Sequence, residues 1–306
     1  MDDIRELVTE QRNVLSDGID RKTPLEILGI INKEDQKVPN IIEQHLPEIE
    51  KVVKAVVNSL SNKGRLFYVG AGTSGRIGIL DASECPPTYG TPPEMVQALI
   101  AGGKGAVFQA VEGAEDNEEV GKKDIDDASL KQEDIVIGIT ASGRAPYVIG
   151  ALREARKQGV TTVSFTCNKK AKLNDYGDYL LNIEVGPEVV MGSTRMKAGT
   201  AQKLVLNMIT TTSMIQLGKV YGNLMVDLQP LNQKLVQRCL RIIEHGTGCT
   251  EAEASDLFDK ALGNPKVAII MGQCNVSRET ALQMLEEKED FIYLAVEEHN
   301  ARKQAR

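Results

Sequence analysis

The chain has 306 residues, 42% of them hydrophobic and 4% aromatic, with a formal net charge of −7. That length and apolar content are enough to bury a core in one large domain with room for a small satellite, whereas an acidic balance with few rings excludes the basic, ring-bearing surface that nucleic acid requires. No uncharged apolar run approaches the roughly 18 residues of a membrane span, and five scattered cysteines and three unrelated histidines lack the spacing of a disulfide framework or a metal site, so neither metal nor cofactor is expected.

In chain order, the acidic opening MDDIRELVTEQ lacks the apolar segment of a secretion signal, and a cytoplasmic protein is expected. From Pro39 to Leu60 apolar residues recur at helical spacing and feed NKGRLFYVG, a short buried strand ending at Gly70. Further strands read Met95 to Gly102, Asp134 to Ser142, Val160 to Thr166 and Tyr179 to Gly186, separated by helical stretches such as APYVIGALREARKQG, a crossover of the right length. This alternation predicts an α/β fold, a doubly wound parallel sheet whose ligands bind where strand carboxyl ends meet helix N-termini. Gly192 to Gly218 is apolar nearly all round and reads as a buried helix. Beyond about residue 230 only short pieces follow. Thr250 and Glu253 form a capping-box pattern, and PKVAIIMGQC and SRETALQMLEE come next, which predicts a small three-helix module with a frayed end, ARKQAR. The expected organisation is an N-terminal helical segment over 1–50, the α/β domain over 51–228 and the helical module over 229–306.

The first strand runs into YVGAGTSGR, where Gly70, Gly72 and Gly75 fit G-x-G-x-x-G, a pattern that lays a pyrophosphate on a helix N-terminus. A dinucleotide site also needs an acidic strand end about 20 residues further on, and that region here is the proline-rich PPTYGTPPE. The turn has a counterpart in ITASGR after a second strand. A smaller anion, one phosphate, suits the pair better, with Thr73, Ser74, Gly75, Arg76, Ser142, Gly143 and Arg144 around it. A third segment, with Ser193, Thr194, Arg195 and Lys197, adds hydroxyls and cations ahead of the buried helix. The competing reading is that such hydroxyls merely cap helices.

Two carboxylates draw attention. Glu84, just ahead of Cys85 and Pro86, is expected in the last turn of the helix opened by Gly75, where the negative dipole end favours the protonated form that a general acid needs. Glu115 lies in VEGAEDN, beside a glycine that suggests a turn, in a loop that reads equally well as a solvated acidic patch.

The runs GRLFYVGAGTSGRIGILDASECPPTYG, EGAEDN, ITASGR and EVVMGSTRMKAGTAQK resemble the N-acetylmuramic acid 6-phosphate etherases, a family built on the sugar isomerase (SIS) domain. The resemblance begins at Leu7 and continues into the C-terminal module. It implies a flavodoxin-like sandwich, a ubiquitin-associated-like C-terminal fold and a homodimer acting on a small sugar phosphate. It also implies that Glu84 and Glu115 are acid and base in cleavage of a lactyl ether, which would yield N-acetylglucosamine 6-phosphate and D-lactate without metal or cofactor. An aldose–ketose isomerase would share the fold, the phosphate loops and a base at C2. A non-catalytic sugar-phosphate sensor resembling the glucokinase regulatory protein is the rival of a different class, although that relative carries two such domains.

Overall fold

A computed structural model describes residues 7–228, 230 and 233–304. The chain divides into two compact units, Met1–Ser83 with Pro93–Thr210, and Glu84–Pro92 with Thr211–Arg306.

In the first unit all five expected strands form: β1 (Leu66–Gly70), β2 (Val96–Ile100), β3 (Ile135–Thr140), β4 (Thr161–Thr166) and β5 (Tyr179–Asn182). β1 and β3 are buried along their whole length, as strands covered on both faces must be. All pairs are parallel and the order is β2-β1-β3-β4-β5. In a sheet of this order the crossovers reverse direction between β1 and β3, and it is in the crevice at such carboxyl ends that open α/β sheets generally bind ligands.

Six helices precede, follow or cross between these strands: α1 (Pro24–Asp35), α2 (Lys37–Glu43), α3 (Leu46–Ser61), α4 (Gly72–Tyr89), α5 (Glu118–Asp127) and α6 (Pro146–Lys157). The long α7 (Lys197–Gln216) comes after β5. The single helix expected over 39–60 is two, because the chain turns at Gln44 and His45 ahead of Pro47, which starts α3. Strand alternation sorts the two sheet faces. Phe67, Val69 and Val136 share a core with Tyr147, Val148 and Leu152 of α6 and Ile125 of α5. Tyr68, pointing the other way, meets α4 at Gly78, where an added Cβ would stand 2.9 Å from the tyrosine Cβ.

Two buried polar clusters hold the helices in place. Tyr68 donates to Asp81 of α4 at 2.8 Å, and Asn207 and Thr210 of α7 donate to the same carboxylate at 2.6 and 3.1 Å. Burial pushes Asp81 up despite these bonds. In the other cluster Lys197, 2% exposed, donates its ammonium to Glu34 of α1, 3% exposed, at 2.6 Å. Asn13 joins Glu34 at 2.9 Å and Pro187 O at 3.1 Å, which fastens the N-terminal segment to the chain ahead of α7.

The expected end of α4 is displaced. The helix continues through Pro86 and Pro87 to Tyr89. Each proline removes an amide donor to the carbonyl four residues earlier, and Gly90, at φ 62°, closes the helix by donating to Pro86 O.

The second unit carries a two-strand hairpin, β6 (Val220–Tyr221) with β7 (Leu224–Met225), and five helices in place of the three expected: α8 (Gln233–Thr247), α9 (Glu251–Lys260), α10 (Pro265–Cys274), α11 (Arg278–Glu287) and α12 (Ile292–Gln304). The Thr250–Glu253 capping box opens α9. Val267 to Ile270 of α10 are wholly buried against Cys239 and Ile243 of α8. The end expected to fray is helical through Gln304, because Ile292, Ala295 and Val296 place one buried stripe on an otherwise polar α12.

Burial pushes the Glu34 carboxyl up, but hydrogen bonds from Lys197, Lys37 and Asn13 outweigh it and hold the group at about 2, against 4.5 as a free side chain. A folded value below the unfolded one means that this group's share of stability is present above pH 4.5 and is lost as the pH falls toward 2. Glu34→Gln should flatten that acid limb and, by leaving the Lys197 charge buried without its counter-ion, cost about 3–5 kcal/mol in urea unfolding at neutral pH. An unchanged urea midpoint would contradict this role for the pair.

Candidate functional site

Gly70 and Ile139 are register partners on β1 and β3, so the turns that follow leave neighbouring strands at the crevice. In the first turn the glycines serve the chain's own path. An added Cβ on Gly70 would lie 2.6 Å from Gly75 N, one on Gly75 2.8 Å from Gly70 O, and Gly72 is left-handed at φ 52°. Strand and helix can cross this closely only without side chains. Gly75 N donates to Ala71 O as the first bond of α4, so the amides of Gly72, Thr73 and Ser74 project beyond the helix start, where an anion is favoured. Ser74 is buried, and Thr73 and Arg76 are half-buried. Arg76 Nε donates to Val107 O at 2.9 Å.

The second turn is held as tightly. Ser142 Oγ accepts from Arg144 N at 3.2 Å and lies 3.3 Å from Thr140 Oγ1, so part of this hydroxyl's capacity caps its own loop. Gly143, at φ 73°, would collide with Ala171 if it bore a Cβ, and its carbonyl accepts from Leu173 N.

Glu115 is brought to this second turn. Gly113, at φ 72°, bends the chain, Asp116 N donates to Gly113 O, and Tyr147 N in the first turn of α6 donates to Glu115 O at 2.9 Å. The bond is held by a tightly apposed helix pair. A Cβ on Gly121 of α5 would collide with Tyr147 O, one on Gly150 of α6 would collide with Glu118 O, and Tyr147 Oη donates to Asp124 at 2.6 Å. The loop is therefore not a solvated acidic patch alone. Desolvation first, and then the neighbouring Asp116 charge, push the Glu115 carboxyl above its ordinary range although the side chain reaches the surface. Glu112, Glu115 and Asp116 are all exposed, as the solvated reading expects, and the upward push is what sets Glu115 apart.

The third segment divides. Gly199 of α7 lies where a Cβ would be 3.5 Å from Thr73 Cγ2 and 3.6 Å from Thr194 O, so the start of α7 abuts the start of α4. Ser193 and Thr194 are half-buried and Arg195 is exposed. Lys197, however, is committed to Glu34. The α7 N-terminus is also occupied: Glu188, wholly buried, accepts from the amides of Lys197 and Ala198 at 2.9 Å each. That carboxylate fills the place an external anion would take. Glu188 and Glu34 escaped the sequence reading because neither spacing nor local pattern links them to Lys197.

Glu84 is exposed on α4 and belongs to the second compact unit. The helix does not end there, so the dipole argument for this residue falls, since that effect is confined to the last turn. The loops at the crevice gather Thr73, Ser74, Gly75, Arg76, Ser142, Gly143, Arg144, Thr194 and Glu115, but neither the Lys197 ammonium nor Glu84.

Residues 117–212 match the SIS domain family, and residues 48–156 match the glucokinase regulatory protein N-terminal SIS domain. Among solved structures, a phosphoheptose isomerase from Francisella tularensis is similar at a TM-score of 0.52 and 20% identity, over 64% of this chain and 100% of that one. A protein from E. coli strain CFT073 gives a TM-score of 0.50 at 18% identity, over 66% of this chain and 97% of that one. Sheet order and these matches define a SIS-domain protein. Across nearly the whole length, the chain is 51% identical to the N-acetylmuramic acid 6-phosphate etherase of Shouchella clausii, covering 96% of this chain and 99% of the relative. It is 50% identical to that of Clostridium acetobutylicum over 96% and 97%, and 52% identical to that of an Exiguobacterium species over 94% and 97%. The chain belongs to the N-acetylmuramic acid 6-phosphate etherase family.

Asp116 supplies part of the upward push on Glu115, so Asp116→Asn should lower the Glu115 midpoint in a carbon-13 titration of the side-chain carboxyls. Identical midpoints in the two proteins would contradict the placement of this pair.

Proposed function

We propose that this protein is an etherase that cleaves the D-lactyl ether of N-acetylmuramic acid 6-phosphate, giving N-acetylglucosamine 6-phosphate and D-lactate. The observation that carries the reading is the end-to-end identity of about half with proteins so named. Support comes from Glu115, whose carboxyl is raised above its ordinary range and whose backbone is bonded to the start of α6, just after the Ser142 turn. The 6-phosphate sits on the first-turn amides of α4, with Thr73, Ser74 and Ser142 as donors. Hydrogen bonds to a charged group are worth about 1.5–3 kcal/mol each, so the phosphate dominates binding.

The chemistry needs two proton-transfer groups. In the open-chain aldehyde, Glu115 as carboxylate removes the proton on C2, whose electrons pass into the carbonyl. Glu84 as carboxylic acid protonates the C3 ether oxygen, and D-lactate leaves. Water then adds to C3 of the unsaturated aldehyde, its proton going to a carboxylate, and C2 is reprotonated. A base whose value is raised toward working pH is a stronger proton acceptor when ionised, which suits Glu115 to the first step. We place the reaction in a cytoplasmic homodimer. In such a homodimer each pocket is completed by the second copy, which supplies Glu84.

Wild-type protein incubated with N-acetylmuramic acid 6-phosphate should release D-lactate. Glu84→Gln should still exchange the C2 proton in heavy water while lactate release collapses, and Glu115→Gln should abolish both, each loss being roughly 100- to 10,000-fold. Mixing the two inactive variants should restore part of the activity through hybrid dimers. Formation of a ketose phosphate without lactate would instead establish an isomerase, and exchange that survives only in Glu115→Gln would reverse the two roles.

A further inference from the structure

The loop that carries Glu115 is tethered at both ends and weakly packed between them. At its start the 3-10 turn Gly103–Val107 presents Val107 O to Arg76 Nε at 2.9 Å. At its end Glu115 O accepts from Tyr147 N. Between the tethers Phe108 is 92% exposed and Val111 47% exposed, although Val111 touches Gly102, which has φ 86° and room for no Cβ. With so little apolar burial along the segment, directed hydrogen bonds set its position more than packing does.

The two tethers differ in what they connect. Tyr147 ties Glu115 to α6, a rigid element. Arg76 ties the loop to α4 near its start, as the fifth residue of the helix and two after the last of its free first-turn amide positions, Ser74. A guanidinium presents five N–H donors in a planar fork. Nε is spent on Val107 O, and the same plane carries the Nη donors on its far edge. One planar group can thus answer to a phosphate on one side and to the base-bearing loop on the other.

We infer that Arg76 is a positioning residue that couples occupation of the phosphate site on α4 to the seating of the Glu115 loop. An anion at the α4 start fixes the guanidinium plane, the plane fixes Val107 O, and the loop between Val107 and Tyr147 then has both ends set. The ordering of the loop is drawn from phosphate binding energy, so the phosphate speeds proton abstraction as well as holding the sugar. Lysine keeps the charge but replaces the fork with a single ammonium, so Arg76→Lys should retain much of the attraction for phosphate and lose the coupling. The inference rests on the proposed role of Glu115 as base at C2.

The test separates the two pieces of the substrate. Unphosphorylated N-acetylmuramic acid is followed for C2 proton exchange in heavy water, with and without inorganic phosphite as a dianion that fills the phosphate site. Wild-type protein should show exchange stimulated by phosphite, by about 5- to 150-fold if the coupling is of ordinary size. Arg76→Lys should lose most of that stimulation while still protecting against thermal unfolding in the presence of phosphite. With the whole substrate its kcat should fall more than its KM rises. In Arg76→Ala, added guanidinium ion should restore stimulation, which a purely structural role would not allow. Stimulation that persists in Arg76→Lys, or a change confined to KM, overturns the inference while leaving the etherase reading intact. If wild-type protein releases no D-lactate from the phosphorylated substrate, the etherase reading fails and this inference fails with it.

Discussion

One backbone hydrogen bond, from Tyr147 N to Glu115 O, fixes where the backbone of the proposed base lies. A typical bond of this kind contributes only about 0.5–1.5 kcal/mol, too little to hold a loop on its own. It holds because α5 and α6 are pressed together at Gly121 and Gly150, where any side chain would strike the opposite backbone, so the two partners have little room to separate. Asn117 starts α5 by accepting from Val120 N directly after the loop, and Pro146 starts α6 directly after the Ser142 turn. A carboxylate and a hydroxyl turn that lie far apart in sequence thus share one corner of the sheet.

The charges elsewhere in the first unit are arranged so that they do not compete for that corner. Three helices, α4, α6 and α7, start after the carboxyl ends of strands β1, β3 and β5, and each N-terminus attracts negative charge; at α6 the Glu115 carbonyl already accepts from Tyr147 N. Glu188 occupies the start of α7, and the Lys197 ammonium that might have joined the ligand is neutralised by Glu34. The start of α4, with the Ser142 turn on the neighbouring strand, is the proposed place for an external anion. The buried pair anchors the segment ahead of α7, whose Gly199 lies against Thr73, so its contribution there is shape rather than charge.

Much of this was legible in the sequence. The five strands, the parallel architecture and the two hydroxyl turns could be read because short apolar runs punctuated by glycine are local signals, and each signal is read within about ten residues. The two Ser-Gly-Arg turns follow β1 and β3, which are neighbours in the sheet. Long-range pairings were not legible: Glu34 with Lys197, Glu188 with the α7 amides, and Arg76 with Val107 each join residues whose local sequence says nothing of the partner. The end of α4 was misplaced because Pro86 and Pro87 ordinarily stop a helix, whereas here Asp81, fixed by three side chains one turn earlier, anchors the helix just ahead of them. The helix count beyond Gln233 was short by two: α12 buries only three side chains, too few for periodicity to register, and α8, whose buried Cys239, Ile242, Ile243 and Gly246 do recur at helical spacing, was passed over.

The central claim is that a single phosphate binds the start of α4 with the reacting carbons turned toward Glu115. A crystal structure of the protein with N-acetylglucosamine 6-phosphate tests it most directly. The account predicts the phosphate on the amides of Gly72 to Ser74 and the hydroxyls of Thr73, Ser74 and Ser142, with C2 of the sugar facing the Glu115 carboxyl. A phosphate seated at the start of α7 in place of Glu188, or a sugar whose C2 faces away from Glu115, would contradict it.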